Sequence, residues 1–406
     1  MLLFIIGGSM KQKIKNLEKN KFNTIEIILI VIITSITGFF LGELVFNNNK
    51  EVLIKKEQSQ IMDVYNKLLK EYYNKTTKEE LEDAAIKGMI ESLGDEYSNF
   101  LNKEVAENFN TELNGEFEGI GISIFEDIDN LATVAEVFKN SPADVAGIKV
   151  GDKIKKINDE STTNMTTEEI SKKIKAFKNE FKLTVQRDKE EIVVSLKLSK
   201  VEIPSIETKV YEENGKKIGY IKILLFALNT DEQFSKALIE LENQKIDSLI
   251  IDLRDNTGGH LETTVNIASE FLNKNQIVTQ IKGKSKIEKI YSNKNKNRKI
   301  NLIVLVNGNS ASGSEMLAAS LQEEYKATLI GEKTFGKGTV QRAYMLGNGK
   351  MLKYTTEEWL TSKGNSINKI GIKPTIEEKL NIKYYETYLE KDDNQLQKAI
   401  EILKDK

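Results

Sequence analysis

Lys337 lies between two glycines, in a stretch whose residue types and spacing suggest chemistry. From Gly331 to Lys337 the sequence matches the beginning of a phosphate-binding loop, with four residues between the first two glycines. Such a loop continues with Ser or Thr and then a helix. Here Gly338 follows, and the next residues, TVQRAY, favour a strand that leads to a turn at Gly347–Gly349. The context argues against a nucleotide site, so Lys337 needs another explanation.

Two further stretches place small polar residues directly after an apolar run. The first is VLVNGNSASGSE, residues 304–315, where a strand leads into a helix. A serine hydroxyl at that junction lies beside unpaired backbone N–H groups, which can hold an oxyanion, but serine is also an ordinary helix N-cap. The second is DLRDNTGGH, residues 252–260, whose paired glycines allow a close approach to a ligand or a tight turn. Either stretch alone leaves both explanations open.

Taken together with further motifs, these stretches resemble the carboxyl-terminal processing peptidases, serine endopeptidases with a PDZ domain and a Ser–Lys catalytic pair. The resemblance covers roughly residues 60–403, and its motifs occur in the family's order. The matching stretches are KGM (87–89), YS (97–98), GIGI (119–122), SPADVAGIKVGD (141–152), IGYIKI (218–223), DLRDNTGG (252–259), SASGSE (310–315), TFGKGTVQ (334–341) and IGIKP (370–374).

The resemblance implies a role for each residue of the site. Ser312 is implied as the nucleophile, Lys337 as the general base and Gln341 as the residue that orients the lysine. The oxyanion hole is implied to consist of the backbone N–H groups of Gly313 and of Gly258, in preference to the neighbouring glycine. The sequence departs from the family's pattern in having Gly313 where Ala is usual and Thr where Pro commonly precedes the glycine pair.

The chemistry requires that Lys337 be neutral when it takes the serine proton. A free lysine has a pKa near 10.4, so reaching about 7.5 requires roughly 4 kcal/mol of differential destabilisation of the charged form. Burial in an apolar pocket supplies such an effect. Phe335 and Val340 are the side chains that we expect to form the walls, and Gly336 and Gly338 would allow close packing.

The GIGI element predicts a site for a peptide carboxylate. Backbone N–H groups at Ile120, Gly121 and Ile122 would bind the C-terminus of a peptide that adds as a strand to a sheet edge. Ile170 and Ile174 on the following helix would line the pocket for its last side chain. The expected partners are therefore protein substrates with apolar C-terminal tails. A catalytically silent PDZ scaffold that binds such tails is the alternative function.

Composition excludes several other classes of protein. The 406 residues contain no cysteine and one histidine, so thiol nucleophiles, thiolate zinc sites and two-histidine metal sites are excluded. The net charge of −2 gives no basic field for nucleic acid. We expect no metal and no cofactor. A Ser-His-Asp triad would have to use His260 with Asp252 or Asp255, but a surface histidine at a helix start is the favoured interpretation.

The N-terminus predicts a membrane anchor. Residues 24–46 contain the uncharged run IILIVIITSITGFFLG, and five lysines precede it (Lys11, Lys13, Lys15, Lys19 and Lys21). That excess of positive charge predicts a cytoplasmic N-terminus and an extracytoplasmic catalytic part. A cleaved signal peptide is the alternative, but no small-x-small cleavage site follows the run.

The expected fold is a multidomain α/β protein, since strands and helices alternate after Pro204. The patterns predict strands at residues 218–223, 248–253, 277–281, 301–306 and 327–330, and helices at residues 231–243, 261–272 and 314–324. They also predict Thr77 as the N-cap of a helix that begins at Lys78, and a last helix with Leu396, Ala399, Ile400 and Leu403 on one apolar face.

The expected protein would combine a transmembrane helix, a helical N-terminal region, a β-rich PDZ domain and an α/β peptidase core. A homodimer through the terminal helices is a further implication of the resemblance. The predicted boundaries are 1–23 for the basic cytoplasmic segment, 24–46 for the anchor, 50–112 for the helical region, 113–200 for the PDZ domain, 201–378 for the peptidase core and 379–406 for a helical tail.

Overall fold

The computed structural model describes residues 60–295 and 298–405. Within these ranges no helix is both long and apolar enough to cross a bilayer. The predicted cytoplasmic segment and anchor, residues 1–46, lie outside the described residues, as do residues 50–59 of the predicted helical region.

The chain divides into two compact units, Met1–Met89 and Ile90–Lys406. The described part of the first unit is helical, with α1 at residues 60–71 and α2 at Lys78–Glu91, whose last two residues belong to the second unit. The predicted N-cap of α2 is confirmed, since the backbone N–H of Glu80 donates to the Thr77 hydroxyl at 3.2 Å.

The second unit begins with elements that the sequence predicted only in part. The predicted helical region is interrupted by a short strand, β1 (Asn99–Leu101), before α3 (Lys103–Asn114). β1 is only three residues long and owes its conformation to pairing with a distant strand, so no local periodicity reveals it.

A six-stranded antiparallel sheet follows, in which five strands have the order β3-β4-β5-β7-β8 and β6 pairs with β5. The strand β3 lies at the edge of this sheet. A separate pair, β2 and β9, joins the two ends of the region. Its elements are β2 (Glu116–Gly119), β3 (Ile122–Glu126), β4 (Ala132–Val137), α4 (Pro142–Val145), β5 (Lys153–Ile157), β6 (Glu160–Ser161), α5 (Thr167–Lys175), β7 (Phe181–Arg187), β8 (Glu190–Leu196) and β9 (Ser199–Glu202).

The centre of the second unit is a six-stranded sheet in the order β10-β11-β12-β15-β16-β19, parallel except for β10. Leu249 and Ile251 pack into one apolar cluster, while Ile250 between them packs into another, so both faces of the sheet are covered. Its elements are β10 (Ile206–Glu213), β11 (Lys216–Ile223), α6 (Thr230–Asn243), β12 (Ser248–Asp252), α7 (Leu261–Ala268), β15 (Asn301–Val306), α8 (Gly313–Ser320), β16 (Thr328–Gly331) and β19 (Ile376–Glu377).

The predicted strands of this sheet are confirmed, but two helices are shorter than predicted. α7 ends at Ala268, where the Ser269 hydroxyl turns back to the carbonyl of Val265. The helix after the serine motif ends at Ser320 and continues as one π-helical turn, Leu321–Tyr325.

A second sheet carries the segment after Lys337. It has the order β1-β18-β13-β14, with β17 paired to β18, and comprises β13 (Ile277–Lys282), β14 (Ile287–Tyr291), β17 (Thr339–Met345) and β18 (Met351–Leu360) besides β1. The predicted strand, turn and strand after Lys337 are therefore confirmed. Because no helix follows the lysine, its backbone forms no phosphate-binding loop.

The chain ends in two helices, α9 (Ile382–Thr387) and α10 (Asn394–Leu403). The predicted apolar face of α10 is confirmed, since Leu396, Ala399, Ile400 and Leu403 are buried against the central sheet.

Candidate active site

Ser312 lies where the buried strand β15 gives way to α8. Its backbone has φ 54° and ψ −113°, the conformation of the first central residue of a type II′ turn, which normally requires glycine. A non-glycine residue held in such a region costs on the order of 1–3 kcal/mol and needs support from its surroundings. The strain is located at the residue that the sequence analysis assigns as the nucleophile.

The glycine pair lies against this turn. A Cβ on Gly258 would come within 2.8 Å of both the Gly313 nitrogen and the Ser312 Cβ, so only glycine fits there. The Gly258 N–H donates to Asn256 Oδ1 at 2.8 Å. The structure thus brings three of the predicted site residues together, with the Gly258 N–H occupied by an internal hydrogen bond.

The structure also explains why glycine occupies position 313. A Cβ at Gly313 would meet the Thr264 hydroxyl oxygen at 2.8 Å. That hydroxyl is held by its own hydrogen bond to the carbonyl of His260, at 2.9 Å. The Thr264 side chain therefore leaves no room for the methyl group of the alanine that is usual at this position.

Glu315 connects the serine turn to the lysine segment. Its side chain is completely buried. Oε1 accepts from the Thr334 hydroxyl at 2.6 Å and from the Gly336 N–H at 2.7 Å, and Oε2 accepts from the backbone N–H groups of Ser312 at 2.9 Å and Lys337 at 2.8 Å. Burial raises the pKa of Glu315, and these four donors act in the opposite direction. One carboxylate therefore fixes both segments.

The backbone of the lysine segment is packed tightly on its other side. The Trp359 indole N–H donates to the carbonyl of Lys337 at 2.9 Å. A Cβ on Gly336 would lie 3.0 Å from backbone nitrogens of Gly371 and Ile370, and one on Gly338 would lie 2.7 Å from the nitrogen of Asn368. The two glycines flanking the lysine are therefore required by close backbone contacts, as the sequence suggested.

The Lys337 side chain is half-buried, and burial lowers its pKa. The positive charge of Lys353 lowers this pKa further, whereas Glu315 and Asp95 raise it. The prediction that Phe335 forms a wall of the lysine pocket is wrong, since its side chain is 55% exposed. Val340 packs against the core of the peptidase sheet.

The wall beside the amine is the ring of Tyr97, whose centroid lies 5.1 Å from Lys337 Nζ. Sequence reasoning assigned no role to Tyr97. The signal was present, because Tyr97–Ser98 is among the stretches that match the family, but nothing local connected it to the lysine.

Gln341 lies on β17, next to the lysine segment. Its Nε2 donates to the hydroxyls of Thr339 at 2.9 Å and Thr355 at 3.2 Å. These two bonds fix the plane of the amide. Among the described hydrogen bonds, none joins Gln341 to Lys337 Nζ.

The residues of the alternative triad have other partners. Asp252 is buried and binds Arg254 and the Tyr220 hydroxyl. Asp255 accepts from the side chains of Asn307 and Asn309. His260 is half-buried at the N-terminal end of α7, and burial lowers its pKa. No described hydrogen bond joins the His260 ring to either carboxylate, so the described residues contain no such triad.

Three profiles of known protein families match parts of this chain. Residues 217–378 match the profile of peptidase family S41, residues 110–186 match a PDZ domain, and residues 43–105 match the N-terminal domain of the activating protease CtpB. The carboxy-terminal processing protease CtpB of Bacillus subtilis is 37% identical over 326 residues, which cover 79% of this chain and 68% of that protein.

The chain belongs to peptidase family S41. A probable CtpA-like serine protease of Staphylococcus aureus is 34% identical, over 86% of this chain and 70% of that protein. This S41 peptidase is accordingly a serine-type, carboxy-terminal processing protease with a PDZ domain, as the sequence predicted.

The PDZ domain of this S41 peptidase brings together the residues predicted for tail binding. Ile120, Ile170 and Ile174 belong to one buried apolar cluster, against which the half-buried Ile122 packs. Gly121 has φ 81°, and its carbonyl accepts from the backbone N–H of Phe138 at 3.0 Å. Ile170 is completely buried and Ile174 is 6% exposed, so in this conformation both side chains fill the domain's own core.

Proposed function

We propose that this S41 peptidase cleaves peptide bonds with Ser312 as the nucleophile and Lys337 as the general base. The observation that carries the proposal is that Glu315 Oε2 accepts two hydrogen bonds, one from Ser312 and one from Lys337. The oxygen accepts from the backbone N–H groups of both residues, at 2.9 and 2.8 Å. The distance between the two backbone nitrogens therefore cannot exceed the sum of these two bond lengths. The serine turn and the lysine segment therefore form one site.

The reaction begins when neutral Lys337 accepts the hydroxyl proton of Ser312. The serine Oγ attacks the carbonyl carbon of the substrate, and the resulting ammonium then protonates the leaving amine. Water attacks the acyl-enzyme while Lys337 takes its proton; the bond to Ser312 Oγ then breaks, and the lysine ammonium returns the proton to Oγ. The reaction requires neutral Lys337. Its pKa is lowered mainly by burial and further by the charge of Lys353, which supports that form.

Two backbone N–H groups, those of Gly313 and Gly258, would stabilise the oxyanion. The Gly313 N–H follows the nucleophile directly, and the Gly258 backbone lies against it. Because the Gly258 N–H donates to Asn256 Oδ1, oxyanion binding would require the exchange of that hydrogen bond. Gln341, whose Nε2 is held by two threonine hydroxyls, would orient the lysine amine through Oε1.

The experiment compares the fragments that the full-length chain and two variants produce from an unfolded test protein. With the wild type, mass spectrometry should detect new peptide termini, and Ser312→Ala and Lys337→Ala should each reduce their rate of appearance by at least about 10³-fold. If either variant cleaves at the wild-type rate, the assignment of that residue is wrong.

We propose that the PDZ domain binds apolar C-terminal tails of substrates. The edge position of β3 supports strand addition, and the GIGI loop precedes that strand. Because Ile170 and Ile174 are buried, a bound tail would have to displace side chains of the cluster. A fluorescent peptide with a free apolar C-terminus should bind, and the same peptide with an amidated C-terminus should not. Equal binding of both would rule out carboxylate recognition.

We also propose that residues 24–46 anchor the enzyme with its catalytic part outside the membrane, on the strength of the apolar run and the lysines before it. The chain should stay with membranes after alkaline washing and be digested by protease added outside intact cells. Release by the washing, or full protection from the protease, would contradict the anchor.

A homodimer is a further proposal. Exposed apolar side chains on α1, among them Ile61, Val64 and Leu68, support association through the N-terminal helices. Sedimentation of the full-length chain in detergent should give twice the monomer mass, and a monomer at all concentrations would contradict the proposal.

A further inference from the structure

The amine of Lys337 lies over an aromatic ring. Nζ is 5.1 Å from the centroid of the Tyr97 ring, within the range of a cation–π contact. Among the hydrogen bonds and ion pairs of the described residues, none involves this Nζ. A lysine side chain has several rotatable bonds, so its amine needs a contact to hold it in one place. Among the described residues, the Tyr97 ring provides that contact.

Tyr97 is held rigidly although it belongs to no strand or helix. Its backbone N–H donates to Asp95 Oδ1 at 3.1 Å, and the hydroxyl of Ser98 donates to Asp95 Oδ2. Ser98 is buried, and its hydroxyl oxygen accepts from the backbone N–H of Thr355 at 3.0 Å. The residues that follow form β1, in which Asn99 pairs with Lys353 of β18. The backbone is therefore anchored at Tyr97 and at the two residues that follow it.

Thr355 of β18 connects the segment of Tyr97 to Gln341 on β17. Thr355 donates from its backbone to Ser98, and its hydroxyl accepts from Gln341 Nε2 at 3.2 Å. A movement of the Asp95–Ser98 turn would therefore affect both Tyr97 and Gln341.

Three other charged groups act on Lys337. Asp95 and Glu315 favour the charged form of Lys337, whereas Lys353 and burial favour the neutral form. Burial raises the pKa of Tyr97, so its phenol is neutral and the ring acts through its quadrupole and its apolar surface. The ring has two opposing effects, because its face attracts the ammonium and its bulk excludes water.

We propose that Tyr97 is a positioning residue for Lys337, which holds the amine where it can exchange a proton with Ser312 and closes the niche to water. The inference rests on the proposed roles of Ser312 and Lys337. It assigns the turn before β1 a direct part in shaping the catalytic centre.

The test measures kcat and KM of the full-length chain between pH 6 and 10 on a fluorogenic peptide. The variants are Tyr97→Phe, Tyr97→Leu and Tyr97→Ala. Phe keeps the ring face, so kcat should stay within about threefold of wild type, whereas Leu and Ala should lower kcat by about 10- to 100-fold with KM within about twofold. Thermal unfolding of each variant confirms that it is folded.

The pH profile separates positioning from a general loss of structure. The acid limb of kcat/KM reports the pKa of the lysine that must be neutral. Leu removes the attraction for the ammonium but keeps apolar bulk, so the limb should move to lower pH. Ala admits water, which favours the ammonium form of Lys337, so the acid limb of the Tyr97→Ala profile should move to higher pH. Shifts of opposite sign are not expected from a merely structural change.

Three outcomes are distinguishable when Lys337→Ala is assayed beside these variants. An active Lys337→Ala overturns the proposed function itself. If Lys337→Ala is inactive but Tyr97→Leu keeps both the wild-type kcat and the wild-type acid limb, only the role of Tyr97 is wrong. If Tyr97→Phe loses as much activity as Tyr97→Leu, the ring face is not what matters and the proposal also fails.

Discussion

The serine turn and the lysine segment reach the same site by different means. The serine turn is defined locally, because a buried parallel strand ends at Val306 and a fully buried helix begins at Gly313. The lysine segment lies between β16 and β17 without regular structure. Its position depends on partners far away in the sequence, chiefly Glu315 and Trp359. One half of the site is encoded by its neighbours, and the other half is held by the rest of the fold.

The difference implies that the two halves should respond differently to mutation. A strand followed by a helix N-terminus constrains the backbone through its own ladder of hydrogen bonds. The lysine segment has no such ladder, and the buried carboxylate of Glu315 ties it to the serine turn, so removal of that carboxylate should let the two segments separate. Glu315 is therefore the residue on which the lysine segment depends most, although it need not touch substrate.

The largest expected effect on stability is that of Glu315→Ala. The substitution leaves four buried donors without their acceptor, so we expect the free energy of unfolding to fall by about 3 kcal/mol. We expect kcat/KM to fall at least about 100-fold, because the lysine is no longer held near the serine. Urea unfolding and peptide hydrolysis measure the two quantities.

The matched control for this change is Glu262→Ala, which removes an exposed carboxylate from the first turn of another helix, α7. Its kcat/KM should stay within about twofold of wild type, since surface substitutions cost little. If both variants behaved alike, the serine and lysine halves would not differ in the way described here.

A smaller effect on stability is expected for Lys337→Met, which removes the charge and keeps an unbranched side chain. Because burial lowers the folded-state pKa of Lys337, the folded chain binds fewer protons than the unfolded chain between that lowered pKa and the ordinary pKa of 10.5. The wild type therefore gains stability as pH rises through this window, and below it the buried charge is a cost.

The variant should consequently be inactive and, at pH 7, more stable than wild type by about 1 kcal/mol. This advantage should shrink as the pH approaches 10. Urea unfolding of both proteins across the range measures it. An advantage that grows with pH would show that the charged lysine stabilises the fold.

The same contrast explains how much the sequence could predict. The strands of the central sheet and the apolar face of α10 follow from periodicity, which depends on neighbouring residues. The resemblance supplied the roles of Ser312 and Lys337 because their motifs are short and distinctive. Tyr97 could not be placed, since its relation to the lysine arises from the pairing of β1 with β18, more than 250 residues later in the chain, as the separation of Ser98 and Thr355 shows.

Two errors had physical causes of the same kind. Phe335 was expected beside the lysine because it is close in sequence, but its ring is largely exposed, and the ring beside the amine is that of Tyr97, from a distant part of the chain. Nothing in the sequence marks Asn256, yet it is completely buried; its Nδ2 donates to the carbonyl of Ile223 at 2.8 Å, and its Oδ1 accepts from the Gly258 N–H. Contacts made across the fold decide both cases.

The most direct test of the central claim is the rate at which a fluorophosphonate labels Ser312, followed by peptide mass spectrometry. Because labelling requires an activated serine but no PDZ ligand, it reports on the Ser–Lys pair alone. We predict that Ser312 is the modified residue and that Lys337→Ala slows its labelling at least about 100-fold. Labelling of a different serine, or an unchanged rate in Lys337→Ala, would contradict the account.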